Sequence, residues 1–225
     1  MAELNTTDGA GQALLRAVAI MDQLRSPGGC PWDAEQTHSS LAPYLIEEAY
    51  ETLDAIEAAD LVALREELGD LLLQVLFHAR LAEEADPAER FGIDDVAGDL
   101  VAKLTRRHPH VFADVSVDSA DEVSANWDDI KKAEKQRTSA IDGIAQGQPA
   151  LALAAKLIGR SRKAGLVVAA PTGMSLGDKL FALVGEAVQA GIDPELALRD
   201  TARRYAELVR AEERADDRDS SSEPS

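Results

Sequence analysis

The chain has 225 residues, of which 45% are hydrophobic and 28% charged, as is ordinary for a globular protein. Its 41 acidic and 23 basic residues give a formal net charge of −18, which opposes binding to nucleic acid. No apolar run approaches the roughly 20 residues that span a bilayer, and the polar N-terminus lacks the pattern of a secretory signal. The single cysteine, Cys30, excludes an intramolecular disulfide and fits a reducing compartment. We therefore predict a cytoplasmic protein with no nucleic-acid and no membrane partner.

Apolar residues recur at helical spacing along most of the chain, so the sequence predicts an all-α fold. A first helix is predicted from Gln12 to Arg25, and the two prolines and two glycines of residues 26–31 end it. A loop through Asp33 and His38 follows. Four more helices are then predicted in the N-terminal half, over residues 41–59, 61–84, 94–107 (with Asp94 as its cap) and 119–137.

The C-terminal part of the chain predicts three further helices, over residues 150–164, 175–190 and 194–213. Residues 165–173 are predicted as a loop, within which residues 166–170 are candidates for an extended segment. The polar residues after 213 predict a disordered tail. The predicted domains are residues 12–140 (catalytic), 141–149 (linker), 150–213 (a C-terminal helical segment) and 214–225 (the tail).

A short internal similarity links the two halves. The segment from Leu68 to Leu72 resembles the segment from Leu176 to Leu180, and each is followed by a Gly-Ile-Asp that opens the next helix. The second copy has Ser175 where the first has Glu67, and no Glu-Glu-x-x-Glu helix precedes it. The C-terminal segment is therefore either a degenerate repeat that has lost the motif's glutamates or a chance similarity between helices rich in alanine and leucine.

The strongest functional signal is a set of acidic residues on two successive helices. Glu48 and Glu51 are three residues apart on the first helix, and Glu67 and Asp70 have the same spacing on the second. Each pair therefore projects from one face of its helix, and a turn at residues 59–60 brings the helices together in antiparallel orientation. Four carboxylates then face one another, an arrangement of hard oxygen ligands that suits Mg2+ or Mn2+.

The alternative is that these acids form a solvated helix face, as most charge runs do. The second helix argues against it, since residues 71–77 read LLLQVLF and are apolar almost all round, as in a buried helix. Carboxylates one turn away are then partly desolvated, and their mutual repulsion is costly unless a cation neutralises it. A metal site is the favoured interpretation.

A basic cluster and a tryptophan are the remaining candidates. Lys103, Arg106 and Arg107 are close together near the end of a predicted helix, where they either contact substrate phosphates or complement the helix dipole. Trp127 either stacks on a nucleobase or packs in the core. Trp32 and His38 precede the acidic helix; each either lines the same pocket or has a structural role.

Several of these segments resemble the MazG family of nucleoside triphosphate pyrophosphohydrolases. The resemblance covers about Leu14 to Gly165 and rests on several motifs in the expected order. These are CPWDAEQTH at residues 30–38, Glu47-Glu48-x-x-Glu51, Glu67-x-x-Asp70, RRHPHVF at residues 106–112, and Asn126-Trp127 followed by Ile130-Lys131-Lys132.

The resemblance implies a MazG-like helical bundle, a homodimer or higher homo-oligomer, and Mg2+-dependent hydrolysis of NTPs or dNTPs to monophosphate and pyrophosphate. Residues that match the family's metal ligands are Glu48, Glu51, Glu67 and Asp70. Lys103, Arg106 and Arg107 match its phosphate contacts, and Trp127 its nucleotide contact. We interpret Glu47, which is adjacent to these ligands, as an auxiliary base beside Glu48 and Glu51. Removal of non-canonical nucleotides is the physiological role that the family implies.

Two other functions remain compatible with the sequence. One is a relative with a narrower substrate, such as dUTP, dCTP or phosphoribosyl-ATP, since the metal site is shared and only the base pocket differs. The other is a non-catalytic, dimeric metal-binding module, which remains open because the C-terminal segment lacks the paired acids of the first copy.

Overall fold

The computed structural model describes residues 11–113, 119, 123, 138–171 and 173–220. The chain divides into two units, Met1–Ile130 and Lys131–Ser225. Every regular element among the described residues is a helix, which confirms the prediction of an all-α fold. Within that described part, no helix is both long and apolar enough to cross a membrane.

Six helices are described in the first unit. They are α1 (Gln12–Arg25), α2 (Pro31–Glu35), α3 (His38–Glu57), α4 (Leu61–Ala82), α5 (Ile93–Arg107) and α6 (Pro109–Phe112). The predicted helix over residues 119–137 lies outside the described residues except for positions 119 and 123.

Helices α3 and α4 form an antiparallel hairpin with a well-defined start and turn. Thr37 caps α3, because its hydroxyl accepts from the Ser40 N–H while the Ser40 hydroxyl accepts from the Thr37 N–H. At the turn, the Ala59 N–H donates to Ile56 and the Asp60 N–H to Ala55, with Ala59 at a positive φ of 53°. The Asp60 carboxylate then accepts from the first N–H groups of α4.

The core of the first unit lies where α1 packs against this hairpin. It contains five buried side chains, from α1 (Met21), α3 (Leu41) and α4 (Leu76, Phe77, Leu81). Burial of these side chains against α1 fixes which faces of α3 and α4 turn inward.

Two expectations for the first unit were wrong, and one short helix was not anticipated. Residues 31–35 form the short helix α2 rather than a loop, and His38 already belongs to α3, because Pro31 starts one helix and Thr37 caps the other. Helix α5 is capped at Gly92 by the Asp95 carboxylate rather than by Asp94. Pro109 restarts a short helix, α6, after the end of α5.

The second unit contains α7 (Ala150–Lys163), α8 (Leu176–Gln189) and α9 (Pro194–Ser220). Arg160 on α7 donates to the carbonyl oxygens of Ala140 and Asp142 and so ties the preceding turns to the helix. Helix α9 runs on to Ser220, into the segment predicted as a tail, and the disordered tail of residues 214–225 stays a prediction. Residues 221–225 lie outside the described part. No strand forms at residues 166–170.

The predicted domain boundary after residue 140 stays a prediction, because residues 124–137 lie outside the described part. The predicted repeat also stays a prediction. Its two aspartates occupy different places: Asp70 lies in the middle of α4, whereas Asp178 lies in the first turn of α8 and caps it with Ser175.

Candidate active site

Three carboxylates meet across the seam between α3 and α4. Glu48 of α3, and Glu67 and Asp70 of α4, each offer one oxygen, and these three oxygens lie within 4.8 Å of one another. All three side chains are half-buried. The hairpin therefore brings together three of the four predicted metal ligands.

Their position follows from the local sequence. On α4, Glu67 and Asp70 are three residues apart and share a face. On α3, Glu48 belongs to the stripe that also carries Leu41, Thr52 and Ala55, all buried. The turn at residues 58–60 then places residue 48 beside residues 67–70 on the antiparallel partner helix.

The fourth predicted ligand, Glu51, is exposed and lies outside this group of three oxygens. It is nevertheless near, since its charge acts on both Glu48 and Glu67. Glu47, the predicted auxiliary base, is also exposed, and its charge acts on Glu48. Both side chains flank the cluster on the solvent side.

No basic side chain among the described residues offsets the negative charge of Glu48 and Glu67. Desolvation, followed by the charges of Asp70, Glu51, Glu67 and Glu47, raises the pKa of Glu48. Desolvation, followed by the charges of Glu51, Asp70 and Glu66, raises the pKa of Glu67. None of these interactions comes from a basic side chain. Converging carboxylate oxygens of this kind fit a hard divalent cation. Such a cation would supply the positive charge that the described residues do not provide.

The predicted phosphate contacts lie on the last turns of α5, which packs against α4. Lys103 and Arg106 are exposed and Arg107 is half-buried. Among the described residues, none of these three cations is a cause of the pKa shifts of Glu48 and Glu67. Trp127, the predicted nucleotide contact, lies outside the described residues.

Trp32 takes part in aromatic packing at one side of the hairpin. Its ring is 51% exposed and stands edge-on to Tyr44 at 6.3 Å and to Phe77 at 6.4 Å between centroids. Tyr44 precedes Glu48 by one helical turn. The structure thus anchors Trp32 to the hairpin by packing, in agreement with its structural interpretation.

Sequence reasoning missed a set of polar groups on the same seam. Gln74 and Thr52 are the two buried polar residues of the described part, and the Nδ1 atoms of His38 and His78 lie 2.7 Å apart. Burial, followed by the charge of His38, lowers the pKa of His78. The spacing of residues 70, 74 and 78 at successive turns of α4 was the available signal.

The chain is similar in sequence to known nucleotide pyrophosphohydrolases. Residues 36–112, which include all three clustered carboxylates, match the model of the MazG nucleotide pyrophosphohydrolase domain. The chain is 51% identical to an uncharacterized 26.1 kDa protein of Streptomyces cacaoi, over 90% of this chain and 84% of that one. It is 47% identical to the nucleoside triphosphate pyrophosphohydrolase of Mycobacterium tuberculosis, over 91% of this chain and 59% of that one.

It is also 39% identical to the nucleoside triphosphate pyrophosphohydrolase of Escherichia coli K12, over 88% of this chain and 86% of that enzyme. The helical fold, the carboxylate cluster and these similarities together define a hydrolase of the nucleotide pyrophosphohydrolase class. The chain belongs to the MazG family of these enzymes, as its motifs predicted. It spans about three fifths of the length of the mycobacterial relative.

Proposed function

We propose that this chain hydrolyses nucleoside triphosphates or deoxynucleoside triphosphates to the monophosphate and pyrophosphate. The reaction uses a divalent cation, Mg2+ with Mn2+ as a substitute, bound by the carboxylate cluster. The convergence of three carboxylate oxygens within 4.8 Å, without a basic partner among the described residues, carries this proposal. The family relationship supplies the substrate class.

Glu48, Glu67 and Asp70 hold the cation from the seam, and Glu51 is the fourth ligand. A divalent cation there supplies neutralising charge for the triphosphate and lowers the pKa of water. Glu47, exposed beside the ligands, accepts the proton of the attacking water. The water oxygen bonds to the α-phosphorus, the bond to the bridging α–β oxygen breaks, and pyrophosphate leaves with the bonding electron pair.

The remaining substrate contacts come from basic and aromatic side chains. Lys103, Arg106 and Arg107 bind the phosphate oxygens, because guanidinium and ammonium groups match their charge and geometry. Trp127 contacts the nucleoside. These assignments rest on the match of the residues to the family's motifs.

The enzyme works as a homodimer or a higher homo-oligomer. Within the first unit, helices α3 and α4 expose large apolar side chains that include Leu45, Ile46, Leu68, Leu72 and Leu73. Such a concentration of apolar surface beside the site supports self-association. Light scattering coupled to size-exclusion chromatography measures the mass directly, and a single monomer mass across micromolar concentrations contradicts this part of the proposal.

Product analysis tests the reaction. The purified protein is incubated with a panel of NTPs and dNTPs, with Mg2+ and with EDTA, and products are separated by anion exchange. Monophosphate and pyrophosphate that appear only with the cation support the proposal. Diphosphate with orthophosphate, or no cleavage of any substrate, overturns it.

Two variants at neighbouring positions of α4 distinguish the role of the carboxylate cluster from a general effect of losing an acid on this helix. Glu67→Gln removes one clustered carboxylate and is expected to abolish turnover without loss of helical structure. Its neighbour Glu66 is exposed and does not belong to the group of three, so Glu66→Gln is expected to keep most of the activity. Equal activity of the two variants contradicts the assignment of the cation site.

A further inference from the structure

His38 and His78 meet at the end of the α3–α4 hairpin that lies opposite its turn. His38 is the first residue of α3, and His78 lies near the end of α4. Their Nδ1 atoms are 2.7 Å apart, the ring planes differ by 3°, and the ring centroids are 5.0 Å apart. The proposed reaction assigns no role to either histidine.

These distances show that the two rings lie end to end and not face to face. The centroid separation equals the Nδ1–Nδ1 distance plus the short distance from each nitrogen to the centre of its own ring. The two centroids and the two nitrogens therefore lie on one line, and both ring planes contain that line. Each Nδ1 points its lone pair or its proton straight at the other, which is the best geometry for a hydrogen bond.

Only one proton fits between two nitrogens at this distance. A neutral pair supplies that proton, because each neutral imidazole has one N–H and one bare nitrogen. A pair with one positive charge also supplies it, as an imidazolium that donates to a neutral imidazole, and the charge strengthens the bond. A second positive charge puts a proton on both Nδ1 atoms, so the hydrogen bond is lost and two like charges repel each other.

The surroundings of the pair do not compensate a second charge. His38 is exposed, whereas Nε2 of His78 is buried without a hydrogen-bond partner in the described part of the chain. A charge on His78 is therefore poorly solvated. Burial, followed by the charge of His38, lowers the pKa of His78.

Neighbouring charged groups do not change this balance. Helices α1, α2 and α5 pack around this end of the hairpin. Among the described residues, His38 is the one charged group that acts on the pKa of His78. The groups on the surrounding helices that do not act on it are Asp22 and Arg25 of α1, Asp33 and Glu35 of α2, Glu47 and Glu48 of α3, Asp70 and Arg80 of α4, and Asp94 and Asp95 of α5.

We propose that His38 and His78 form an acid-sensitive latch, which holds the start of α3 against α4 until the pair takes up a second positive charge. The turn at residues 58–60 connects the helices at the opposite end of the hairpin, and the carboxylate cluster lies between the turn and the latch. Release of the latch frees the first turn of α3 and loosens the alignment of the two helices that carry the cluster.

The direction of the pH dependence follows from the shift of His78. Because its pKa is lower in the folded protein, the unfolded chain binds more protons as the pH falls through the ordinary value of 6.5. The contribution of the latch to stability is therefore complete above that pH and is lost below it. This is the opposite of the carboxylate cluster, whose repulsion weakens as the pH falls.

The shared proton gives a direct test in the metal-free protein. In 1H–15N spectra at pH 8, we expect a downfield imidazole N–H resonance that exchanges slowly with water, besides that of His108, whose Nδ1 lies 2.7 Å from the Leu104 carbonyl oxygen. His38→Ala is expected to remove this resonance. Ser39→Ala, at the adjacent exposed position, is the control that keeps it. Absence of the resonance in the wild type, or its survival in His38→Ala, overturns the latch.

Hydrogen exchange measures the opening itself, with two equivalent amides at the two ends of the hairpin. The Leu41 N–H donates to Thr37 at the start of α3, and the Leu64 N–H donates to Asp60 at the start of α4. From pH 8 to pH 5 we expect the protection factor of Leu41 to fall at least about tenfold and that of Leu64 to stay within about twofold. In His38→Ala, Leu41 is expected to have the low protection at both pH values.

Two results of the exchange experiment overturn the latch. One is a wild-type Leu41 amide that is as protected at pH 5 as at pH 8. The other is an equal loss of protection at Leu64, because the whole hairpin then opens and not only the end that the histidines join.

The effect on the cation site rests on the proposed function and is measured at pH 8 alone, so that protonation of the carboxylates does not contribute. Electron paramagnetic resonance of free Mn2+ gives the Kd without nucleotide. His38→Ala is expected to raise this Kd about fivefold, the low end of couplings between separate sites, and Ser39→Ala to leave it within about twofold. An unchanged Kd in His38→Ala overturns the coupling. If the wild type binds no Mn2+, the proposed cation site fails, and the resonance and exchange experiments still decide the latch.

Discussion

Arg25, at the end of α1, binds the carboxylate of Glu84 beyond the end of α4 through two parallel hydrogen bonds. Its Nε and Nη2 atoms lie 2.8 and 3.0 Å from the two carboxylate oxygens. The same guanidinium donates to the carbonyl oxygen of Asp33 and lies 6.0 Å from the ring centroid of Phe77. One nearly buried side chain, 7% exposed, thus joins α1, α2 and the end of α4.

Replacement of this arginine tests how much the junction stabilises the first unit. Arg25→Lys keeps the charge but loses the two-pronged geometry and the contact with Phe77, so we expect a loss of about 1–3 kcal/mol in the free energy of unfolding. Urea denaturation followed by circular dichroism measures it. Arg16, exposed on the same helix, supplies the control variant Arg16→Lys, which is expected to change the value by less than about 0.5 kcal/mol. Equal effects of the two variants contradict the junction's role.

The repulsion within the carboxylate cluster predicts a pH-dependent stability of the metal-free protein. The pKa values of Glu48 and Glu67 are raised by desolvation and then by neighbouring carboxylates. A group whose pKa is higher in the folded state favours folding most when the pH is below its ordinary pKa. That contribution is lost as the pH rises through the raised value.

We therefore expect Glu67→Gln to raise the Tm in EDTA at pH 7 and to have little effect near pH 4, below the raised pKa values of Glu48 and Glu67. Differential scanning calorimetry across this range measures both. In saturating Mg2+ we expect the wild-type protein to have the higher Tm, because the cation stabilises only the wild-type cluster. A variant that is less stable than the wild type in EDTA at pH 7 contradicts the repulsion.

The turn between α3 and α4 stores backbone strain at Ala59. Its φ of 53° lies in the left-handed region that favours glycine. Ala59→Gly removes the clash of Cβ but makes the unfolded chain more flexible, and the net expectation is a gain of about 0.5–1 kcal/mol. The adjacent Ala58 has a right-handed helical conformation, so Ala58→Gly is expected to cost about 0.5–1 kcal/mol. Thermal unfolding of both variants measures these changes in stability. A loss of stability at both positions contradicts strain at Ala59.

The basic residues of α5 are expected to act on the substrate and not on the cation. Lys103→Met is expected to raise the KM for the nucleotide about tenfold, which corresponds to about 1.4 kcal/mol. The Kd for Mn2+ without nucleotide is expected to remain unchanged. Arg90, exposed before α5, provides Arg90→Met as the charge-matched control. If Lys103→Met leaves the KM unchanged, the phosphate contact of Lys103 is wrong.

Most of the helices were predictable from the sequence because apolar residues at helical spacing determine where a helix forms. Helix α1 has the predicted bounds, and α4 starts where predicted, at Leu61. The short helices α2 and α6 were missed because each begins at a proline, which reads as a break in the sequence. Which helical segments pack together depends on tertiary contacts that local patterns do not contain.

The site was predictable in part for a similar reason. Spacing alone makes the pairs Glu48–Glu51 and Glu67–Asp70 equivalent, yet the structure turns both members of the second pair and only Glu48 of the first toward the seam. The rotation of α3 about its axis decides this, and the buried Leu41, Thr52 and Ala55 set that rotation. Gln74 escaped notice because a single polar residue within an apolar run shows no partner in the sequence.

The short turn at Ala59 has a kinetic consequence. Because residues 48 and 70 are close along the chain, their approach requires only a local closure, which polypeptides complete early in folding. A cation that binds this hairpin therefore stabilises the folding transition state as well as the native state. We expect saturating Mg2+ to accelerate refolding of the first unit rather than only to slow its unfolding. The shortness of this connection then determines how early in folding the proposed cation site can form.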